Sequence, residues 1–315
     1  MALCGWPAVV LENESVRVTV LAGKGAEVVE FLHKPTDTDF CHFTRRGIRR
    51  PEQVAARPFL DQYGGGWQEV FPYGGAPGEY GGVSFDQHAE VSVLPWSVAV
   101  VRDDPEEVTV RLEVSCLRTP FRLRRTMTLG SGEPSLRVVS EVWNEGAARH
   151  PAMWGQHLAF GHPYLGSGTV LSLPEGSRAL FHRTPGTLDP SGGRLFPLRT
   201  DGETTETTFI APEPGQPTDI LYLTGFSTGR YVLRNPLRQV GLEVRWDAAL
   251  LPYVWLWVET GGCSGYPWFG EEYIVGVEPF SSFPTNGLSE AVANGSALWL
   301  EAGEGKRLQW SITVA

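Results

Sequence analysis

The sequence predicts an all-β fold, a large antiparallel β-sandwich, on three observations. Apolar and polar residues alternate with period two in run after run, turns rich in Gly and Pro separate the runs, and no amphipathic pattern lasts three helical turns. Of the 315 residues, 42% are hydrophobic and 20% charged, an ordinary balance for a chain that buries a large core. The 37 Gly, 24 Pro and 11 Trp suit short strands, tight turns and aromatic clefts.

The elements follow in chain order. SVRVTV (15–20) alternates, and a turn at Gly23–Gly25 leads into AEVVEFLH, which predicts an opening hairpin. Alternation returns in AEVSVLPWSVAVV (89–101), EEVTVRLEVSCL (106–117), FRLRRTMTL (121–129) and SLRVVSEVWNEG (135–146), with turn signals between them, and predicts a long antiparallel meander. The second half continues with TDILYLTGF (218–226), GRYVLRNP, QVGLEVRWD (239–247), PYVWLWVET and EYIVGVEPF, and closes on GKRLQWSITV (305–314). Stretches 44–84 and 176–215 are irregular and are expected as surface or cleft-lining loops. With no internal repeat and no compositional shift to mark a linker, one domain over residues 1–315 is expected.

The formal net charge of -10 offers no basic field, so neither nucleic acid nor a membrane surface is expected as a partner. The opening MALCGWPAVVLENESVRV lacks a basic stretch followed by a long apolar core, and no segment approaches the roughly 18 apolar residues of a spanning helix. A cytoplasmic location is expected. Cys4, Cys41, Cys116 and Cys263 are scattered without C-x-x-C spacing and read as free thiols, with no metal site. Dinucleotide, P-loop and nucleophile-elbow signatures are absent, and no cofactor is expected.

Three segments set titratable groups among aromatic and small residues, as a sugar cleft needs: Asp86-Gln87-His88-Ala89-Glu90, Trp154-Gly155-Gln156-His157 and Gly276-Val277-Glu278-Pro279. At these residues the chain resembles the aldose 1-epimerase (galactose mutarotase-like) superfamily. DQHAEVSVLPW places His88 where the family's first histidine begins a strand, and WNEGAARHPAMWGQHLAFGHPYL places His157 at its second. YIVGVEPFSSFPTNGL places Glu278 at the C-terminal glutamate, and GYPWF followed by VGVEP is the most specific part. The resemblance spans nearly the whole chain. It implies a galactose mutarotase-like supersandwich, a small-molecule sugar as partner, and a monomer or homodimer.

The implied activity is an isomerase that interconverts the anomers of a free or modified monosaccharide. Glu278 would accept the C1 hydroxyl proton, a protonated His157 would donate to the ring oxygen, and His88 would hydrogen-bond that oxygen or stabilise its charge. Gly64–Gly66 within QYGGGWQEVFPYGG reads as a cleft loop, with Trp67 and Tyr73 as sugar-stacking groups. Gln156 and Trp268 are further substrate-binding candidates. The family's early Asn-Arg pair is not evident, and Arg45, Arg46, Arg49 and Arg50 occupy its region, with Arg46 as a substrate-binding candidate. Asp219 and Asp247 are candidates for the aspartate that contacts sugar hydroxyls.

Other readings stay open. His150, His162 and His182 are expected as surface or packing residues, and Trp255 and Trp257, on alternate positions, as core. Arginines at 45–50 and 118–125 read as a solvated loop and strand face, or as a phosphate-binding rim of a hexose-phosphate epimerase. A non-catalytic sugar-binding or sensor protein would keep the aromatic cleft while its histidines and glutamate failed to converge. A glycoside hydrolase needs two carboxylates flanking the scissile bond, and Glu278 has no partner supported by a motif.

Overall fold

The computed structural model describes residues 1–180, 199–200 and 207–315. His182 and most of the 176–215 stretch therefore lie outside the described residues. The first half contributes β1 (Val9–Glu12), β2 (Val16–Leu21), β3 (Glu27–His33), β4 (Trp67–Val70), β5 (Ser97–Asp103), β6 (Glu107–Ser115), β7 (Phe121–Gly130) and β8 (Ser135–Asn144). Then come β9 (Gly155–Gly161), β10 (Val170–Leu173), β11 (Arg178–Leu180), β12 (Thr207–Ile210), β13 (Asp219–Thr224), β14 (Arg230–Arg234), β15 (Gly241–Trp246), β16 (Tyr253–Glu259), β17 (Ile274–Phe280) and β18 (Gly305–Val314).

These strands make two large antiparallel sheets. One runs β5-β6-β7-β8-β18-β15-β14-β10-β12 and ends at the short Arg199–Thr200 segment; the other runs β11-β13-β16-β17-β9-β4-β3-β2-β1. The expected meander is β5 to β8, four sequence neighbours that are also neighbours in space. Period-two alternation turns one face of each sheet inward. Val18, Phe31, Trp67, Leu158, Leu256 and Val277 of the second sheet thus share one core with Leu112, Leu123, Met127, Val138, Leu242 and Ile312 of the first.

The second sheet is also covered outside. Val70, Tyr222, Trp255 and Phe280 on its outer face pack with Tyr73, Phe85 and Ala89 from the loops after β4, and with Leu288 and Ala291 of the helix Leu288–Ala293. That layer explains two departures from the sequence expectation. Strand β4 lies hidden in the stretch read as loop, because its four residues are all buried and show no alternation. Residues 89–96 do not extend β5. Instead the Glu90 carboxylate accepts hydrogen bonds from the backbone N–H groups of Leu117 and Arg118 and from the Thr119 hydroxyl, which pins a turn. No helix among the described residues is long and apolar enough to cross a membrane.

Candidate active site

Register brings the candidate pair together. Strands β9 and β17 pair with Gly155 opposite Phe280 and Ala159 opposite Gly276, so His157 stands opposite Glu278. On the far side of β17, Glu278 faces Trp255 of β16, and on the far side of β9, His157 faces Gln68 of β4. Trp255, Glu278, His157 and Gln68 therefore form a row across four strands, on the face turned away from the sandwich core. His157 Nε2 lies 3.6 Å from Glu278 Oε1. Gly276, two residues before Glu278 on the same face, leaves room for this: a Cβ there would come within 2.4 Å of Glu278 Oε1.

His88 enters from the loop that covers the row. It lies in a turn, not at the start of a strand, with a φ of 54° that puts it in the sparsely populated left-handed region. Its ring centroid is 5.3 Å from that of His157. The Gly75 N–H donates to His88 Nδ1 at 3.2 Å, so the ring proton belongs on Nε2. Gly75 itself has a φ of 88°, and a Cβ on it would meet Thr285 O at 2.2 Å. Only glycine can bring that N–H to the imidazole.

The three residues share the wall of a cavity of about 370 Å³, a size suited to a small molecule. Phe59, Tyr63, Trp255, Trp257 and Trp268 make its aromatic side, whereas Gln87, Thr218, Asp219 and Thr285 are polar. Among the described lining residues there is no lysine or arginine. Burial dominates the electrostatics. It lowers His157 from its usual 6.5 to about 4, and lowers His88 well below that usual value with nearby His157 adding to the effect. It raises Glu278 well above the usual carboxylate range and Asp219 above its own. Uncharged imidazole and protonated carboxyl are the forms that a dry cavity favours.

Trp268 and Asp219 line this cavity as well. Four substrate-binding candidates do not. Trp67 and Gln156 fall on the inner parity of their strands: Trp67 donates to Ala159 O among core aromatics, and Gln156 donates to the Glu69 carboxylate between the sheets. Tyr73 stacks on Phe85 and donates to Ala76 O, inside the covering layer. Arg46 is exposed and lies over the Phe269 ring. Asp247 caps a turn through the Ala249 N–H. The arginines form no rim either, since Arg122 and Arg124 pair with Glu145 and Glu113 on a strand face and Arg125 is buried against Glu69. Trp255, expected as core, is buried in the covering layer and also borders the cavity, whereas Trp257, likewise expected as core, is half-buried on the same outer face and lines it. Their i, i+2 spacing beside the Glu278 strand was a usable signal. Phe59 comes from a segment with no local signal, whereas Tyr63 and Thr285 lie unremarked inside QYGGGWQEVFPYGG and YIVGVEPFSSFPTNGL, and Gln87 only neighbours His88.

Several solved structures share the architecture. A protein of Synechocystis sp. PCC 6803 is 20% identical, with a TM-score of 0.68 over 100% of this chain and 98% of its own. A putative aldose 1-epimerase of Klebsiella pneumoniae is 16% identical, with a TM-score of 0.73 over 95% of this chain and 76% of its own. A galactose mutarotase-like protein of Lactobacillus casei is 16% identical, with a TM-score of 0.66 over 98% and 100%. At such identities the fold is what is shared, and the fold of this chain is the galactose mutarotase-like β-sandwich. No curated protein matches the sequence. Residues 4–314 match the family described as a domain of unknown function, DUF4432, and the chain belongs to that family.

Proposed function

We propose that this protein interconverts the α and β anomers of a free or modified monosaccharide by acid–base ring opening. The observation that carries the reading is the 3.6 Å approach of His157 Nε2 to Glu278 Oε1 in the wall of a cavity of about 370 Å³. The C1 hydroxyl and the ring oxygen are bonded to the same carbon. Two groups that serve them must therefore be close neighbours, as these are. The fold shared with putative aldose 1-epimerases supports the same reading.

The chemistry needs one proton on the pair. Passing it from Glu278 to His157 gives a carboxylate and an imidazolium. The carboxylate takes the C1 hydroxyl proton while Nε2–H protonates the ring oxygen; the bond from C1 to that oxygen breaks and the aldehyde forms. Rotation about C1–C2 and reclosure with the proton movements reversed give the other anomer, and the pair is restored. His88, with its proton on Nε2, donates to the ring oxygen. Trp257 and Trp268 offer faces to the sugar and Asp219 receives its hydroxyls. A cavity wall whose described residues include carboxyl groups and no cation disfavours a phosphorylated sugar.

Exchange spectroscopy by NMR on a panel of aldoses tests the proposal. At least one sugar should exchange anomers faster with the protein than without it, and His157→Asn and Glu278→Gln should each lose about 10²-fold or more of that rate. No acceleration for any sugar, or unchanged rates in both variants, would overturn it.

A further inference from the structure

At the Gln68 end of the row lie polar atoms that the acid–base scheme leaves unused. Of the eight buried side-chain polar atoms without a hydrogen-bond partner among the described residues, three belong to this corner: Nδ1 of His157, Oε1 of Gln68 and Oη of Tyr63. Such atoms are few in native proteins because each carries its full desolvation cost, so three around one imidazole call for a reason. Gln68 stands directly opposite His157 on the neighbouring strand, and the Tyr63 ring meets His157 edge-on at 5.7 Å.

The carboxamide of Gln68 is fixed in one orientation. Its Nε2 donates to Gly65 O at 2.7 Å and to Glu27 Oε2 at 3.1 Å, and Glu27 is itself held by Lys24 Nζ at 2.6 Å from both carboxylate oxygens. Both donor hydrogens are thereby engaged. What Gln68 has left to offer is Oε1, a pure acceptor with two lone pairs. The only hydrogen His157 can present from the side away from Glu278 is one on Nδ1.

We propose that Gln68 is a positioning residue, whose Oε1 accepts a proton held on His157 Nδ1 and so turns Nε2 toward Glu278. Since the carboxamide is held, a rotation of the imidazole closes this bond. The inference rests on the proposed anomer exchange for its kinetic consequence, though not for the tautomer itself. With Nδ1–H committed to Gln68, the Nε2 lone pair is free to take the Glu278 proton and hand it to the ring oxygen. When the imidazolium forms, the bond from Nδ1–H to Oε1 supports a charge that burial opposes. The titratable groups around His157 are Glu278 from β17, His88 from the covering turn and Tyr63 from the 59–63 segment, with the Lys24–Glu27 pair beyond Gln68. Tyr63 remains a neutral phenol because burial, and then the Glu278 carboxylate, raise it well above its ordinary value.

The test uses the full chain with ¹⁵N-labelled histidine. Wild-type His157 should show the Nδ1–H tautomer in its nitrogen shifts. Gln68→Leu removes the acceptor and should shift His157 to the Nε2–H form or a mixture, lower kcat for anomer exchange roughly tenfold with KM little changed, and move the pH profile. Gln68→Glu, protonated in this buried site so that its O–H donates to Glu27 in place of the Nε2–H, keeps a carbonyl oxygen beside Nδ1 and should restore the wild-type tautomer and most of the rate. An Nε2–H tautomer in the wild type, or Gln68→Leu with unchanged nitrogen shifts and pH profile, overturns the proposal. Should Gln68→Leu fail to fold, the wild-type spectrum and that of Gln68→Glu still decide. A wild-type protein that shows the Nδ1–H tautomer yet exchanges no anomers would overturn the activity and leave the positioning of His157 standing.

Discussion

Burial moves the two members of the pair in opposite directions, which gives each its own signature in stability against pH. His157 has an ordinary value of 6.5 and a folded value of about 4. As pH falls from 6.5, the unfolded chain takes up this proton first, so stability is present above 6.5 and drains away down to about 4. The shift corresponds to roughly 3 kcal/mol, and His88, lowered by the same cause, adds to it. Glu278 works the other way: its folded form keeps a proton that the unfolded chain releases, so its contribution is full below 4.5 and fades as pH rises through the raised folded value. Urea titrations at pH 7 and pH 4 should therefore show a smaller loss for His157→Asn than for the wild type. An equal loss would mean that His157 is not the buried neutral group described. Gly276 offers a sharper test of geometry. Its replacement by Ala puts a methyl group against the Glu278 carboxylate, the end of a flexible side chain that can move, and 3.2 Å from the Trp257 ring, which must give by a few tenths of an ångström. The protein should fold with a loss of about 1 kcal/mol or less, while anomer exchange falls at least tenfold; calorimetry and NMR exchange measure the two separately.

Whole strands and loops decide which of these residues can act together. Along β16 and β17, Val254, Leu256, Val258, Val275 and Val277 point into the sandwich, which leaves Trp255, Trp257, Gly276 and Glu278 on the cavity side. Alternation in β6, β7, β8 and β18 was legible in the sequence because one face of each is more exposed than the other. The order of His88, His157 and Glu278 was legible too, through motif resemblance. Trp67 and Gln156 were misread because β4 is buried on both faces, and every residue from 155 to 161 is buried as well, so parity leaves no mark in the residue types. The cavity walls from 59–63, 218–219 and 285 meet only through tertiary folding. The loop that carries Trp268 is fastened along its length. Glu259 accepts the N–H of Gly261, Tyr266 Oη donates to Asp61 at 2.7 Å, and Glu272 lies 3.3 Å from His42 and accepts the Arg45 N–H. Tyr266→Phe removes an exposed fastening, so stability should change by no more than about 0.5 kcal/mol. The freed Trp268 wall should raise KM several-fold with kcat nearly constant, as steady-state exchange rates against sugar concentration would show. A fall in kcat with KM unchanged would instead place Tyr266 in the chemistry.

At the scale of the whole molecule, a cluster of buried polar groups ties the two sheets together through a largely apolar core. Glu69 of β4 accepts from Ser140 Oγ of β8 at 2.9 Å, from Trp154 Nε1 at 2.6 Å and from Gln156 Nε2 at 2.8 Å, and lies 3.6 Å from Arg125 of β7. Both charged side chains are almost wholly buried, at 0% and 1% exposure, so neither can turn to solvent if its partner is lost. Breaking such a pair costs far more than replacing it, because the survivor is an uncompensated charge. Glu69→Leu and Arg125→Met should each lose roughly 3–5 kcal/mol. The double variant should lose clearly less than the sum, and what it still loses is the cost of leaving Ser140, Trp154 and Gln156 without an acceptor. Since Glu69 and Gln156 flank Gln68 and His157 on the same two strands, the tie also sets how β4 and β9 lie under the cavity. Urea unfolding of the four proteins gives the coupling directly, and additive losses would show that Arg125 and Glu69 act as independent residues and not as the joint between the sheets.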